Sequence, residues 1–119
     1  MAKFFDFKKS NTASITIDVD KIAYICSAEN KSRIMKSDIY FADKTSQMII
    51  ETMDDIMSVT DNKFVKLTQL DGSSILINND YLMTMVQQQD KSLIYLGNYY
   101  RRYVRETVEE IKALISSKK

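Results

Sequence analysis

Apolar and polar residues alternate along short stretches of the chain, a pattern typical of half-buried β-strands. Phe5 and Phe7 alternate with polar neighbours, and residues 15–17 alternate after a polar turn. A bend at residues 18–20 leads into a third strand, and residues 39–50 have the composition of a hairpin. The alternation ends at Thr52, where apolar residues begin to recur at helical spacing. This half of the chain is therefore predicted to form strands followed by a short helix.

The same pattern occurs a second time. Residues 4–25 match residues 64–85 at a spacing of 60, and residues 38–56 match residues 93–111 at a spacing of 55. The change in spacing comes from residues 26–36, a polar stretch of the first segment that is five residues longer than its counterpart, residues 86–91. A surface loop tolerates such an insertion at little cost in free energy.

Each segment is interpreted as a ββββα unit. The linker, residues 61–63, is too short to let the two units move independently. We therefore predict an α+β fold in which two tandem ββββα repeats, residues 4–60 and 64–116, pack about a pseudo-two-fold axis. The whole chain, residues 1–119, is expected to be a single domain.

Both predicted helices begin at a recognisable capping sequence. Thr52 is followed three residues later by Asp55, and Thr107 by Glu110, which is the spacing of a capping box. The paired acids could alternatively be metal ligands, as could a polar bend that recurs in both segments. Capping and Asx turns account for both sets, so no metal site is predicted. The residues concerned are Asp54, Asp55, Glu109 and Glu110 for the pairs, and Asp18, Asp20, Asn78 and Asp80 for the bend.

Composition excludes several kinds of chemistry. The 119 residues include no His, which excludes imidazole acid–base catalysis, His metal sites and Ser-His-Asp triads. The single Cys26 excludes an internal disulfide, and two glycines are too few for a phosphate-binding loop. We expect no enzymatic activity and no cofactor. No apolar run approaches the ~20 residues that span a bilayer and no secretion signal is present, so we expect a cytoplasmic protein without a membrane partner.

Residues 64–115 contain a set of turn, strand and helix-cap residues that resembles the pattern of a known protein family. They include a Leu-Thr-x-Leu-Asp-Gly turn, a following strand that ends in Asn, and a Val-Arg-Glu-Thr-x-Glu-Glu-Ile helix start. The matching residues are Leu67, Thr68, Leu70, Asp71, Gly72, Ile77, Asn78, Ile94, Leu96, Val104, Arg105, Glu106, Thr107, Glu109, Glu110 and Ile111. On these residues the second segment resembles the small, single-module FlbD-type bacterial proteins associated with flagellar motility and swarming. The resemblance implies a shared fold for this segment.

One stretch of the second segment concentrates aromatic and basic side chains. One interpretation is a platform for single-stranded nucleic acid, with bases stacking on tyrosines and phosphates contacting arginines. The other is an ordinary hairpin in which Tyr103 packs inward and the arginine stems cover the surface. The first segment has neither aromatics nor arginines at this place. The candidate binding residues are Tyr99, Tyr100, Arg101, Arg102, Tyr103 and Arg105.

Two functions follow from these observations. The leading hypothesis is a non-enzymatic protein interaction or assembly module that binds another protein or its own copies, because strand edges and amphipathic faces offer pairing surfaces. The alternative is a single-stranded nucleic-acid-binding protein that uses the tyrosine- and arginine-rich hairpin. The net charge of +1 is low for a domain that neutralises many phosphates.

Overall fold

Two halves of the chain fold with the same order of elements. The computed structural model describes residues 3–28, 34–60, 63–97 and 99–117, and within these ranges each half forms five strands and then an α-helix. The first half contains β1 (Phe4–Lys8), β2 (Ser14–Asp18), β3 (Ile22–Ser27), β4 (Ser37–Phe41), β5 (Ser46–Ile49) and α1 (Met53–Val59). The second half contains β6 (Phe64–Thr68), β7 (Ser74–Asn78), β8 (Leu82–Gln88), β9 (Lys91–Leu96), β10 (Tyr100–Val104) and α2 (Val108–Ser116).

The strands form three antiparallel sheets. One sheet is the β1-β2 hairpin, a second has the order β10-β9-β8, and the middle sheet has the order β5-β4-β3-β7-β6. The middle sheet therefore combines strands from both halves. We call the pairing of β3 with β7 the joint; its register is Tyr24 with Ile77, Ile25 with Leu76 and Cys26 with Ile75.

Each face of the middle sheet carries its own hydrophobic core. On one face, the β1-β2 hairpin and α1 cover a first core that includes Ile22, Ile25 and Phe64. On the other face, the three-stranded sheet and α2 cover a second core that includes Tyr24 and Ile77. Burial of apolar surface on both faces explains why β3 and β7 read as nearly continuous apolar runs.

Equivalent polar contacts hold the end of each half together. The Glu51 carboxylate accepts the Lys8 N–H at 3.0 Å, and the Glu106 carboxylate accepts the Thr68 N–H at 2.8 Å. Glu106 also accepts the Thr68 hydroxyl at 2.9 Å. These contacts fasten the segment before each helix to the first hairpin of the same half.

The predicted helix starts are confirmed. The Thr52 hydroxyl accepts the Asp55 N–H at 3.2 Å while the Asp55 carboxylate accepts the Thr52 N–H, and Thr107 and Glu110 form the same capping box. The predicted Asx turns are also confirmed, because Asp18 and Asn78 accept the N–H two residues on.

The α+β class is confirmed, but the ββββα repeats are not. Each half has five strands, because the strand expected after the bend is separate from both strands of the hairpin that follows it, which is one strand more than a ββββα unit contains. The predicted pseudo-two-fold packing is wrong as well. A two-fold axis that relates the halves would pair β8 with β2 in addition to β3 with β7, and among the described strands only β3 and β7 pair. No described helix has the length and apolar character needed to cross a membrane.

Candidate nucleic-acid interface

The predicted binding stretch forms β10, which pairs with β9 and lies at one edge of the three-stranded sheet. Side chains of a strand alternate between the two faces of a sheet. Tyr100, Arg102 and Val104 therefore point toward the middle sheet, whereas Arg101 and Tyr103 point away from it. The structure divides the candidate residues into two groups with different surroundings.

The inward group fastens β10 to the middle sheet. The Tyr100 ring packs edge-on against Tyr24, with centroids 5.0 Å apart, and its hydroxyl donates to the Phe41 carbonyl at 2.9 Å. The Arg102 guanidinium lies 4.7 Å from the centroid of the Tyr24 ring and donates to the Tyr24 hydroxyl. Tyr24 also stacks on Tyr40 at 4.6 Å. These contacts give Tyr100 and Arg102 a packing role.

Burial further favours the neutral form of the inward phenols. It raises the pKa of the Tyr24 hydroxyl above its ordinary value, although the neighbouring Arg102 opposes the shift. Burial likewise raises the pKa of Tyr100. A neutral phenol retains its proton, so Tyr100 can donate to the Phe41 carbonyl throughout the physiological pH range.

The outward group is exposed and lies beside two lysines. Tyr99 and Tyr103 are 55% and 41% exposed, and Arg101 is also exposed. The Lys44 ammonium lies 4.1 Å from the centroid of the Tyr99 ring, and the Lys91 ammonium lies 4.8 Å from that of Tyr103. Cations and aromatic rings therefore alternate along this face of β10.

An open cleft accompanies the outward group. Its volume is about 440 Å³, and its lining consists of Leu93, Tyr99, Arg101 and Tyr103, together with Arg102 of the inward group. Leu93 pairs with Tyr103 across the strands and forms an apolar floor. A cleft with an apolar floor, exposed rings and a guanidinium can accept a planar apolar group that carries an anion.

Arg105 follows β10 and contacts a different part of the molecule. Its N–H donates to the Thr68 carbonyl at 2.8 Å, and its guanidinium donates to the Leu70 carbonyl at 2.7 Å. The side chain is exposed but is directed to the turn between β6 and β7. It therefore stands apart from the cleft beside β10.

The sequence did not predict either lysine at this face. The hairpin interpretation also expected Tyr103 to pack inward, which is wrong. Tyr103 points outward, and Tyr100 is the ring that packs inward. Lys91 could have been found from the β9-β10 register, because it lies near Tyr103 across the hairpin. Lys44 comes from the first half, so no local pattern places it beside Tyr99.

The acidic residues considered as metal ligands have other contacts. Asp55 and Glu110 form the capping boxes, while Asp54 and Glu109 pair with Lys66 and Lys112 at 3.5 and 3.4 Å. Within the described ranges, no three His, Cys, Asp or Glu side chains gather where they could hold a metal ion.

The fold is similar to a solved structure, the LytTr DNA-binding domain of a Bacillus cereus protein described as a methyl-accepting/DNA response regulator. The TM-score is 0.67, the alignment covers 94% of this chain and 95% of that chain, and the sequences are 10% identical. No protein-family model matches the chain, and neither does any curated protein. At this identity the similarity shows a shared fold.

The resemblance to FlbD-type flagellar proteins is wrong. The structural neighbour is a LytTr DNA-binding domain, and no family model supports the flagellar assignment. The residues behind that resemblance serve general structural needs: Gly72 has a φ of +92° in a turn, and Glu110 caps a helix. Many folds with tight turns and capped helices select the same residue types.

Proposed function

We propose that this protein binds nucleic acid through the outward face of β10. The observation that carries the proposal is the grouping of Arg101, Lys44 and Lys91 with the exposed rings of Tyr99 and Tyr103. Guanidinium and ammonium groups bind phosphates, and exposed rings stack on bases. The protein acts without catalysis and in the cytoplasm under this proposal.

The fold supports DNA as the nucleic acid to test first. The structurally similar domain is described as DNA-binding, and the similarity extends over 94% of this chain. This favours nucleic-acid binding over the protein-assembly hypothesis. The transfer is a proposal, because the sequences are only 10% identical.

The exposed rings favour unpaired bases. A base in a duplex presents only its edge in the grooves, whereas an unpaired base presents the face that stacks on an aromatic ring. Tyr99 and Tyr103 flank the cleft floored by Leu93, so each can offer a ring face beside the Arg101 guanidinium. We therefore expect single-stranded DNA to bind more tightly than duplex DNA of the same sequence.

Fluorescence anisotropy with labelled single-stranded and duplex DNA, at about 50 to 200 mM salt, tests the proposal. Arg101→Ala should weaken binding and reduce the salt slope by about 1, because one phosphate contact is lost. Tyr103→Ala should weaken single-strand binding at least about fivefold, because stacking contributes ~1–3 kcal/mol per base. Both losses should exceed that of the control Lys9→Ala, an exposed cation on the β1-β2 hairpin, on the other face of the middle sheet.

Two results would overturn the proposal. One is the absence of binding to either form of DNA at the lowest salt concentration. The other is binding that Arg101→Ala and Tyr103→Ala weaken no more than Lys9→Ala does. Circular dichroism of each variant verifies that the sheets are intact, since both substitutions lie at exposed positions.

A further inference from the structure

β3 and β8 occupy equivalent positions in their halves but have different neighbours. Ile22 pairs with Phe41 and Leu82 with Leu96, and both strands then shift register at the next residue. β3 continues on its other side into β7, whereas no described strand pairs with the other side of β8. β2, the counterpart of β7, likewise pairs only with β1 among the described strands. The free edges of β8 and β2 therefore correspond to the two strands of the joint, but within one molecule they do not pair with each other.

Residues that are buried at the joint have exposed counterparts at the two unpaired edges. Phe64 is fully buried, and its counterpart Phe4 is 64% exposed. Ala23 is buried, and its counterpart Met83 is 65% exposed. Exposed apolar side chains at positions that are buried in the joint indicate a surface suited to binding a partner.

A cleft lies beside β8, at the place where the first half accommodates a phenylalanine from the other half. Its volume is about 290 Å³, and its lining consists of Asn79, Leu82, Met83, Thr84, Met85 and Ile115. In the first half, the counterparts Val19, Ile22 and Ile25 share their core with Phe64, which comes from the other half. The equivalent occupant of the cleft is a phenylalanine at the start of a first hairpin, which is Phe4 of a second copy.

Charges at the two edges are complementary. At the joint, the Lys63 ammonium contacts Asp20 at 2.7 Å and Asp80 at 2.9 Å, and so bridges the two halves. The counterpart of Lys63 is Lys3, which is exposed on the side of β2. Asp80 lies on the side of β8, with its side chain 70% exposed. A second copy that follows the geometry of the joint brings its Lys3 to Asp80.

β8 also lacks the usual protection of an edge strand. Exposed edges commonly carry charged residues or Pro, which discourage pairing with another chain. The sequence of β8, LMTMVQQ, contains neither. β10, at the opposite edge of the same sheet, carries two arginines.

We propose that β8 of one copy pairs antiparallel with β2 of a second copy, in the register of the joint. The intermolecular pairs are Thr84 with Ile17, Met85 with Thr16 and Val86 with Ile15. The interface is head-to-tail, so each copy keeps one unpaired edge and the assembly grows or closes into a ring. The interface lies on the opposite edge from β10 and does not depend on nucleic-acid binding.

One polar contact of the joint is missing from the proposed interface. The Asn78 amide donates to the Ile22 carbonyl at 2.8 Å across the joint. The counterpart of Asn78 is Asp18, whose carboxylate has no proton to donate. Association between copies is therefore weaker than the joint, and Asp18→Asn strengthens it.

Sedimentation velocity of the full chain over a dilution series tests this interface. The parent protein should show association that increases with concentration. Met83→Lys and Phe4→Ser should each be monomeric, whereas Leu114→Lys, at another exposed apolar position, should behave like the parent. Asp18→Asn should associate at about three- to tenfold lower concentration, the effect expected of one net hydrogen bond.

Mixing the two monomeric variants distinguishes the head-to-tail geometry from a symmetric one. Met83→Lys retains an intact β2 side, and Phe4→Ser retains an intact β8 side, so the mixture should form a dimer and nothing larger. A parent that remains monomeric, or a mixture that forms no dimer, would overturn the proposal. Charge reversal at Lys3, which makes no ion pair at the joint within the described part of the chain, supplies a check independent of packing: Lys3→Glu should weaken association.

Discussion

β3 and β8 are equivalent strands of the two halves, but β3 is enclosed within a sheet and β8 lies at the edge of one. Each begins after a short 3-10 turn and pairs on one side with the next strand in the same register. β3 is enclosed by β4 and β7, and its first four residues are buried. β8 lies at an edge, and all of its residues are partly or fully exposed. Local sequence determines the pairing within a half, while the contribution of the other half determines burial.

Truncation of the matched core positions should give the largest difference between the halves. Ile25→Ala should lower the free energy of unfolding by about 3 kcal/mol, because Ile25 is fully buried in the first core. Met85→Ala should cost about 1 kcal/mol, since Met85 only packs against the edge of the second core. Urea denaturation followed by circular dichroism measures both. Equal costs would mean that β8 is covered as fully as β3.

Removal of the matched glutamates should give the next largest effect. Glu106→Ala should cost about 2 kcal/mol, because it leaves the part-buried Thr68 N–H and hydroxyl without their charged acceptor. Glu51→Ala should cost less, because both Glu51 oxygens accept the same exposed N–H. Thermal unfolding measures the difference, with Glu106→Gln as the variant that retains an acceptor. The comparison fails if Glu51→Ala is the more damaging change.

The capping threonines should contribute equally in both halves. Thr52→Ala and Thr107→Ala should each cost about 1 kcal/mol, because each removes the acceptor of an N3 amide. Serine at either position should recover most of the loss, since its hydroxyl can occupy the same place. Chemical denaturation of the four variants decides the matter. Full stability of either alanine variant would contradict the capping role.

The smallest effect should be a pH dependence that originates at the joint. The hydrogen bond from Lys63 lowers the pKa of Asp20 below its ordinary value of 3.8, although partial desolvation opposes the shift. A carboxylate with a lowered folded-state pKa contributes stability above the unfolded value, and this contribution is lost as the pH falls through the folded value. Stability should therefore decrease below about pH 4, and less steeply in Asp20→Asn. Urea midpoints at pH 6 and pH 3 provide the measurement, and a parallel loss in both proteins would exclude Asp20 as a source.

Local features of the fold could be predicted from the sequence, and contacts between the halves could not. The capping boxes at Thr52 and Thr107 and the Asx turns at Asp18 and Asn78 involve residues two or three positions apart. The joint pairs residues about fifty positions apart, and alternation within a strand does not identify its partner. The continuous apolar run of β3, beside the more polar β8, was the one available signal that only the first of these strands is enclosed.

The candidate site shows the same limit on a smaller scale. The stretch of tyrosines and arginines was visible in the sequence, but which of them faces outward depends on a one-residue parity set by the hairpin register. That parity gives Tyr100 and Arg102 to the packing around Tyr24, and Arg101 and Tyr103 to the surface. Lys44 reaches Tyr99 only because the two halves fold together.

The joint also bears on how such a chain can lengthen through gene duplication. A further unit added after α2 would begin with a hairpin of the same kind as β1-β2 and β6-β7. Its second strand would meet the edge of β8 as β7 meets β3, and its first aromatic residue would enter the cleft lined by Leu82, Met85 and Ile115. Growth of this kind requires no new type of contact, because each added unit covers the edge before it and leaves another uncovered.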